Sequence, residues 1–341
     1  MTGYRVAVVG ATGAVGREVL DILGARRFPA AWVRALASPR SAGVRIGEVV
    51  VQPVNAAAFD DIDIAIFDTP DDVAETWVPV AAGRGAVVID NSAAFRMAPD
   101  VPLVIPEVNP EALRRAPRRI IANPNCTTAT VAVPLAPLHR AAGLRRVIAC
   151  SYQSVSGAGH AGVTQLWAEI REAVGTGAAP ARPQGTAFRQ PIALNVIPAV
   201  GSFRGGRTSE EIKMEAELRK MLGAPDVAVG VTCVRVPTLR AHGVAVHAEF
   251  FGSLGPERAR EILASAPGVH VVDDPTEGRY PTALAASGCD PCHVGRIRAD
   301  GAGMLAFFTV ADNLRKGAAL NAVQIAEAVV RDGALLEART A

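Results

Sequence analysis

The sequence predicts an α/β protein of two domains, a doubly wound parallel sheet followed by an α+β domain. Three observations carry this. The chain of 341 residues is long enough for about two domains. Its first part alternates short apolar runs with helical ones, the pattern of strand–helix–strand units that build a parallel sheet. Beyond residue 126 the strands lengthen and show period-2 stretches such as VAVHAEF. The expected boundaries are a first domain at 1–126, completed by a C-terminal helix at 313–341, and a second domain at 127–312.

In order along the chain, YRVAVVG reads as a buried strand, GREVLDILGA as a helix, and WVRALA and IDIAIF as strands. A helix through VAETWVPVAAG precedes the strands AVVID and RIIAN. The helix TTATVAVPLAPLHRAAG then leads to the strand RRVIACSYQ. The helix GVTQLWAEIREAV leads to an excursion at 176–194 rich in Gly, Pro and Ala. Thr208-Ser209-Glu210-Glu211 is a capping box that opens the helix EEIKMEAELRKML. Long strands follow, with a helix near 256–265 and further strands to about residue 311. NLRKGAALNAVQIAEAVV closes the chain as a helix with one apolar face.

Composition excludes several classes. Half the residues are hydrophobic and 20% are charged, so neither a disordered chain nor a small disulfide scaffold fits. The longest mostly apolar stretch, TATVAVPLAPL, is short of a membrane helix. MTGYRVAVVG lacks the features of a leader. A soluble, cytoplasmic protein is expected. The net charge of +2, without blocks of like charge, argues against a dedicated partner for nucleic acid or a membrane. Three of the 35 basic residues are lysines, Lys213, Lys220 and Lys316. The five cysteines form no disulfide framework. Cys289 and Cys292 with His293 read as a loop, and no metal is expected.

Gly10-Ala11-Thr12-Gly13-Ala14-Val15-Gly16 lies between a buried strand and a helix. Glycines there permit a tight turn and close approach of a pyrophosphate to the helix N-terminus, which reads as dinucleotide binding. The second strand is followed by Ser38-Pro39-Arg40-Ser41, where an NAD-binding chain has an acidic residue. An arginine between hydroxyls suits a 2′-phosphate, so NADP is favoured. Cys126, in Asn123-Pro124-Asn125-Cys126, stands where a strand gives way to a long helix. Free amides and the dipole there stabilise a thiolate, and the same amides can hold an oxyanion. His242 is a second candidate. Arg235 is seven residues away across Pro237, and spacing alone leaves open whether the two share a site.

On GATGAVG, LASPRSAG, NPNCTT, SYQSVSGAG, NVIPAVG, EEIKMEAELRKML, CVRVPTLRAH, VGRIR and DNLRKGAALNAVQIAE, the chain resembles the aspartate-β-semialdehyde dehydrogenase family over nearly its whole length. The resemblance implies a Rossmann-like NADP-binding domain plus a catalytic and dimerisation domain, in a homodimer. It implies NADPH-dependent reduction of L-aspartyl-4-phosphate to L-aspartate-4-semialdehyde, with release of phosphate, in aspartate-family amino-acid biosynthesis. By the same resemblance Cys126 is the nucleophile, His242 the general acid/base, and Gln153 the residue that orients the acyl group. Arg235 would pair with the substrate carboxylate, Glu210 with its amino group, and Arg96 and Lys213 with its phosphate. Asn313 and Ser156-Gly157-Ala158-Gly159 would border the nicotinamide. N-acetyl-glutamyl-phosphate reductase shares the architecture but has no need of Glu210.

One stretch departs from the family pattern. Asp68-Thr69-Pro70-Asp71-Asp72 replaces the usual Ser-Ala-Gly-Gly-Ser. It reads as a helix start, with Thr69 as N-cap and Pro70 at the first helical position. It also puts carboxylates where the family keeps small residues beside the cofactor. That is the one feature favouring a non-catalytic cofactor-binding paralogue.

Overall fold

The computed structural model describes residues 3–337 and divides into two units. One holds the residues up to Asn125 and those from Ala318 onward; the other is Cys126–Gly317. Cys126 thus opens the second unit instead of closing the first, and the chain returns at Ala318 rather than at 313. Residues 1–2 and 338–341 of the expected first domain lie outside the described residues.

In the first unit the strands are β1 (Tyr4–Val9), β2 (Ala30–Ala37), the small hairpin β3 (Arg45–Ile46) and β4 (Val49–Val50), β5 (Gln52–Pro53), β6 (Ile64–Phe67), β7 (Val87–Asp90) and β8 (Ile120–Ala122). Six of them form a sheet in the order β5-β2-β1-β6-β7-β8, parallel throughout. Successive side chains of a strand face opposite ways. Val6, Val8, Ile64 and Ile66 pack with Val19 and Ile22 of helix α1 (Ala14–Ala25) and with the C-terminal helix Leu320–Asp332. Phe67 faces the other way, stacked on Phe59, which also meets Trp77 of helix α2 (Asp71–Gly83). Helices therefore cover both faces, as a doubly wound sheet requires.

The helix start at α2 differs from the expectation. The N-cap is Pro70 and no side chain caps the helix. Thr69 Oγ1 is buried with no hydrogen-bond partner among the described residues. Asp71 spends its carboxylate on the Ala93 amide, 2.8 Å away.

The second unit contains β9 (Leu144–Gln153), the short hairpin β10 (Phe203–Arg204) and β11 (Arg207–Thr208), β12 (Ala228–Arg235), β13 (His242–Phe250), β14 (Val269–Val271), β15 (Cys292–Ala299) and β16 (Leu305–Ala311). Its mixed sheet runs β12-β9-β13-β16-β15-β14. Helices α3 (Cys126–Ala142), α5 (Ser209–Leu222) and α6 (Pro256–Ala264) pack on one face of it, with α4 (Gly159–Thr176) following β9. The opposite face shows Ile148 and Tyr152, both exposed. The expected capping box is present: Thr208 Oγ1 accepts from Glu211 N and Glu211 Oε2 accepts from Thr208 N.

The closing segment is not one helix from Asn313. Asp312 Oδ1 accepts from the amides of Leu314 and Arg315, and Gly317 N donates to Asp312 O. A π-helical turn, Arg315–Ala319, precedes the regular helix. Asp312 holds this turn, and Asn313, which precedes it, bonds Ala241, Ser154 and Ser156 through its side chain.

Candidate active site

The sheet register of the second unit gathers the expected residues. Gln153 and Arg235 end the parallel strands β9 and β12 and lie opposite one another. His242 begins β13, which runs antiparallel to β9, with Gly243 opposite Tyr152. Asn313 follows β16, whose last residue, Ala311, pairs with His242. Four residues spread over 160 positions of sequence thus meet at one end of one sheet.

His242 is fully buried. The Ser154 amide donates to its Nδ1 at 3.1 Å, and Ser154 Oγ lies at the same distance. Nδ1 therefore has a donor to accept from when bare and a hydroxyl to donate to when protonated. Nε2 is left without a partner among the described residues. Burial, helped by the charge of Arg235, pushes this imidazole down to about 3, so it is neutral at physiological pH.

Arg235 is buried too, and Nη1 donates to the Ser154 carbonyl at 2.6 Å. Burial pushes its guanidinium below its usual value, while charge on Cys126 and Glu210 acts the other way. Gly157 shows that Arg235 and His242 converge. A Cβ at Gly157 would stand 2.9 Å from Arg235 Nη1 and 3.1 Å from His242 Nε2. The missing side chain leaves room beside both groups.

Cys126 is the first residue of α3 and is partly buried; its carbonyl accepts from Thr130 Oγ1. A Cβ at Gly317 would come within 2.7 Å of Cys126 Cβ, so glycine is needed there. Cys233 is different: burial pushes its thiol up to about 12, and it stays protonated. Gln153 is buried, with Nε2 donating to Ser151 Oγ. Asn313 Oδ1 accepts from Ala241 N and from the hydroxyls of Ser154 and Ser156. That joins Asn313 to the loop of Ser156, Gly157 and Gly159. Glu210 and Lys213 lie one turn apart on α5 and are half-buried.

In the first unit, Gly10 has φ +88, and a Cβ there would stand 1.9 Å from the Asp68 carbonyl oxygen. Only glycine makes that turn into Gly13, the N-cap of α1, and Gly16 in its first turn. Thr12, Ala14 and Val15 fill the turn between. Gly13 and Ala14 are exposed, so the α1 amides are open to an anion. Pro39–Ser41 is a short 3₁₀ turn after β2 and Ser38. Arg40 there is exposed and has no partner among the described residues. The residues fit a phosphate-bearing dinucleotide. Arg96 is buried, donating from Nε to Asn123 O and from Nη2 to Asn91 O. Asn123 also bonds Asn91, Ala318 and Asn321, which fixes the end of β8.

Ser154 and Gly317 were not singled out from the sequence. Both lie inside recognisable motifs, SYQSVSGAG and NLRKGAA, but no spacing rule marks a residue whose work is to pair a distant histidine.

A glycine-turn unit of the dinucleotide-binding type, with a second unit that carries a helix-terminal thiol, a neutral histidine and a buried arginine, has the kinds of group that a cysteine-dependent oxidoreductase uses. Comparison with known proteins narrows this. Residues 5–116 match the family described as semialdehyde dehydrogenase, NAD binding domain, and residues 135–316 match semialdehyde dehydrogenase, dimerisation domain. The chain belongs to the semialdehyde dehydrogenase family. It is 43% identical to an aspartate-semialdehyde dehydrogenase of Aquifex aeolicus, over 97% of this chain and 99% of that one. The crystal structure of aspartate semialdehyde dehydrogenase II from Vibrio cholerae is 40% identical with a TM-score of 0.92, covering 97% of this chain and 99% of that one. The same enzyme complexed with ASA gives 0.91 at 40% identity, with the same coverage.

Proposed function

We propose that the chain is an aspartate-semialdehyde dehydrogenase, reducing L-aspartyl-4-phosphate to L-aspartate-4-semialdehyde with release of phosphate. The observation that carries this is the meeting of Arg235, His242 and Gln153 at one sheet end, in the unit that Cys126 opens. Cys126 as thiolate attacks the acyl carbon, the bond to phosphate breaks, and a thioester remains. NADPH, when bound, supplies the hydride that reduces it. The Cys126–carbon bond of the resulting thiohemiacetal breaks to give the aldehyde and return the thiolate. His242 carries the proton at Nε2, because Ser154 pairs Nδ1 in either protonation state. Arg235 holds the substrate carboxylate in its fork, and Glu210 the amino group. Gln153 orients the acyl group, and Arg96 and Lys213 take the phosphate. Asn313 and the loop of Ser156, Gly157 and Gly159 border the nicotinamide.

NADP is the cofactor on this reading. The turn from Gly10 to Gly16 would hold the pyrophosphate, and Ser38, Arg40 and Ser41 the 2′-phosphate. A second copy of the chain covers the open sheet face with Ile148 and Tyr152, giving a homodimer. On this reading the chain works in the cytoplasm on small molecules, with neither nucleic acid nor membrane as partner; among the described residues no helix is long and apolar enough to cross a membrane.

The test is NADPH absorbance with aspartate semialdehyde, phosphate and NADP in the reverse direction. The chain should turn over, and Cys126→Ala should lose more than about 10³-fold in kcat while still binding NADPH. Turnover surviving in that variant would move the nucleophile elsewhere.

A further inference from the structure

The excursion after α4 forms no helix or strand between Thr176 and Phe203, yet it is tightly held. Two side chains of α4, one turn apart, do the holding. Glu169 is fully buried. Its Oε1 accepts from Gln184 N at 3.2 Å and from Gln165 Nε2 at 2.8 Å. Its Oε2 accepts from the amides of Ile192 and Ala193, at 2.6 and 2.9 Å. Gln165, also buried, turns its Oε1 to the amides of Ala187 and Phe188 at 3.0 and 3.1 Å. A buried carboxylate is costly unless its oxygens are satisfied; here four donors satisfy it, three of them main-chain amides of the excursion.

What this staple holds in place is Phe188. Its ring lies against Gly162 of α4, where a Cβ would stand 3.2 Å from Cζ. On another side the Arg235 guanidinium lies 5.7 Å from the ring centroid, within reach of a cation–π contact. The backbone beyond the staple also reaches Arg235. Ile197 N donates to Arg235 O at 2.9 Å, and Arg235 N donates to Ile197 O at 2.8 Å.

We infer that Gln165 and Glu169 are positioning residues for substrate recognition: by stapling the excursion to α4 they seat Phe188 on Arg235 and fix the guanidinium that grips the substrate carboxylate. This rests on the reading of Arg235 given above. The Ser154 carbonyl fixes one nitrogen of the guanidinium; the ring, 5.7 Å away, bounds the space in which the rest of it can turn, and a bidentate grip depends on that orientation.

The experiment compares Glu169→Gln, Gln165→Met and Phe188→Leu in the reverse reaction, well below each variant's melting temperature. Each should raise KM for aspartate semialdehyde about five- to thirty-fold, the range of a desolvated cation–π contact. kcat should stay within about twofold, and KM for phosphate should not move. Combining Glu169→Gln with Phe188→Leu should do no more than the worse single change, because both act through one ring. Gln165→Met tests the same staple should Glu169→Gln fail to fold. The inference is overturned by staple variants that melt lower with unchanged KM, by a parallel rise in both KM values, or by additive effects. Arg235→Lys separates the two claims. If it leaves KM for aspartate semialdehyde unchanged, the reading of Arg235 is wrong. If it raises KM while the other variants do not, only the positioning role is wrong.

Discussion

Asp68 stands beside the glycine turn proposed to hold the cofactor's phosphates, and can be neutralised without changing its shape. Its Oδ2 lies 3.7 Å from where a Cβ on Gly13 would be, and its Oδ1 accepts from Asn91 Nδ2 at 3.3 Å. Burial, with a smaller push from Asp90, raises this carboxyl from 3.8 to about 6. Because the folded value lies above the unfolded one, ionisation of Asp68 opposes folding. The cost is absent below pH 4, grows between pH 4 and 6, and is complete above. At about 1.4 kcal/mol per unit it reaches roughly 3 kcal/mol. Asp68→Asn keeps the acceptor for Asn91 and removes the charge. It should raise the melting temperature by several degrees at pH 8 and by almost nothing near pH 4. It should also tighten NADPH binding, since a carboxylate about 4 Å from a phosphate costs roughly 4 kcal/mol near a protein surface. Fluorescence titrations from pH 5.5 to 8 give the ratio of the two proteins' Kd values, in which the cofactor's own titration cancels. The ratio should widen as pH rises through 6. A stability gain equal at both pH extremes would remove burial of the charge as its cause, and a flat Kd ratio would mean that Asp68 does not face the cofactor's phosphates.

Arg235→Lys should raise the KM for aspartate semialdehyde by an order of magnitude or more, about 1.5–3 kcal/mol for a charged hydrogen-bonded pair; steady-state kinetics decide it. Arg40→Asp should shift kcat/KM from NADPH towards NADH, measured with both cofactors, because a carboxylate repels a 2′-phosphate and accepts from a 2′-hydroxyl. Arg235 also holds His242 down, and a bound carboxylate neutralises that charge. The pKa of His242 seen in kcat should therefore exceed the one seen in kcat/KM, and pH–rate profiles of the two should separate in that direction.

The strands of the first unit were legible because burial on both faces leaves nearly continuous apolar runs such as YRVAVV and IAIF, bounded by turn residues. Cys126 was legible for a local reason, its place at a strand-to-helix junction. His242 and Arg235 were not legible in this way. Their meeting depends on β9, β12 and β13 lying side by side in one register, and pairing between distant strands leaves no mark in a seven-residue spacing. The resemblance of CVRVPTLRAH to its family supplied what local chemistry lacked. The start of α2 misled because Thr69-Pro70-Asp71 has the composition of a capped helix, whereas the fold turns the Thr69 hydroxyl inward and gives Asp71 to Ala93. Glu169 passed unnoticed because a glutamate in a helix usually faces water; only its neighbours Leu166 and Ile170, which belong to an apolar cluster with Ile192 and Phe188, placed it on the inner side.

The interruption of the first unit by the second has a consequence for synthesis. The N-terminal segment leaves the ribosome first, but one face of its sheet is closed by Leu320, Val323, Ile325 and Ala326 of the C-terminal helix. Those residues are translated last, after the whole of Cys126–Gly317. The second unit is one unbroken piece of chain whose first and last residues nearly touch, so it can fold as it emerges. The first must wait, with part of an apolar sheet face uncovered beside α1, until translation ends. During that interval the exposed apolar surface is open to aggregation, and a stop codon that removes only the final helix would leave Cys126–Gly317 whole and strip the first unit of one of the helices that close its sheet.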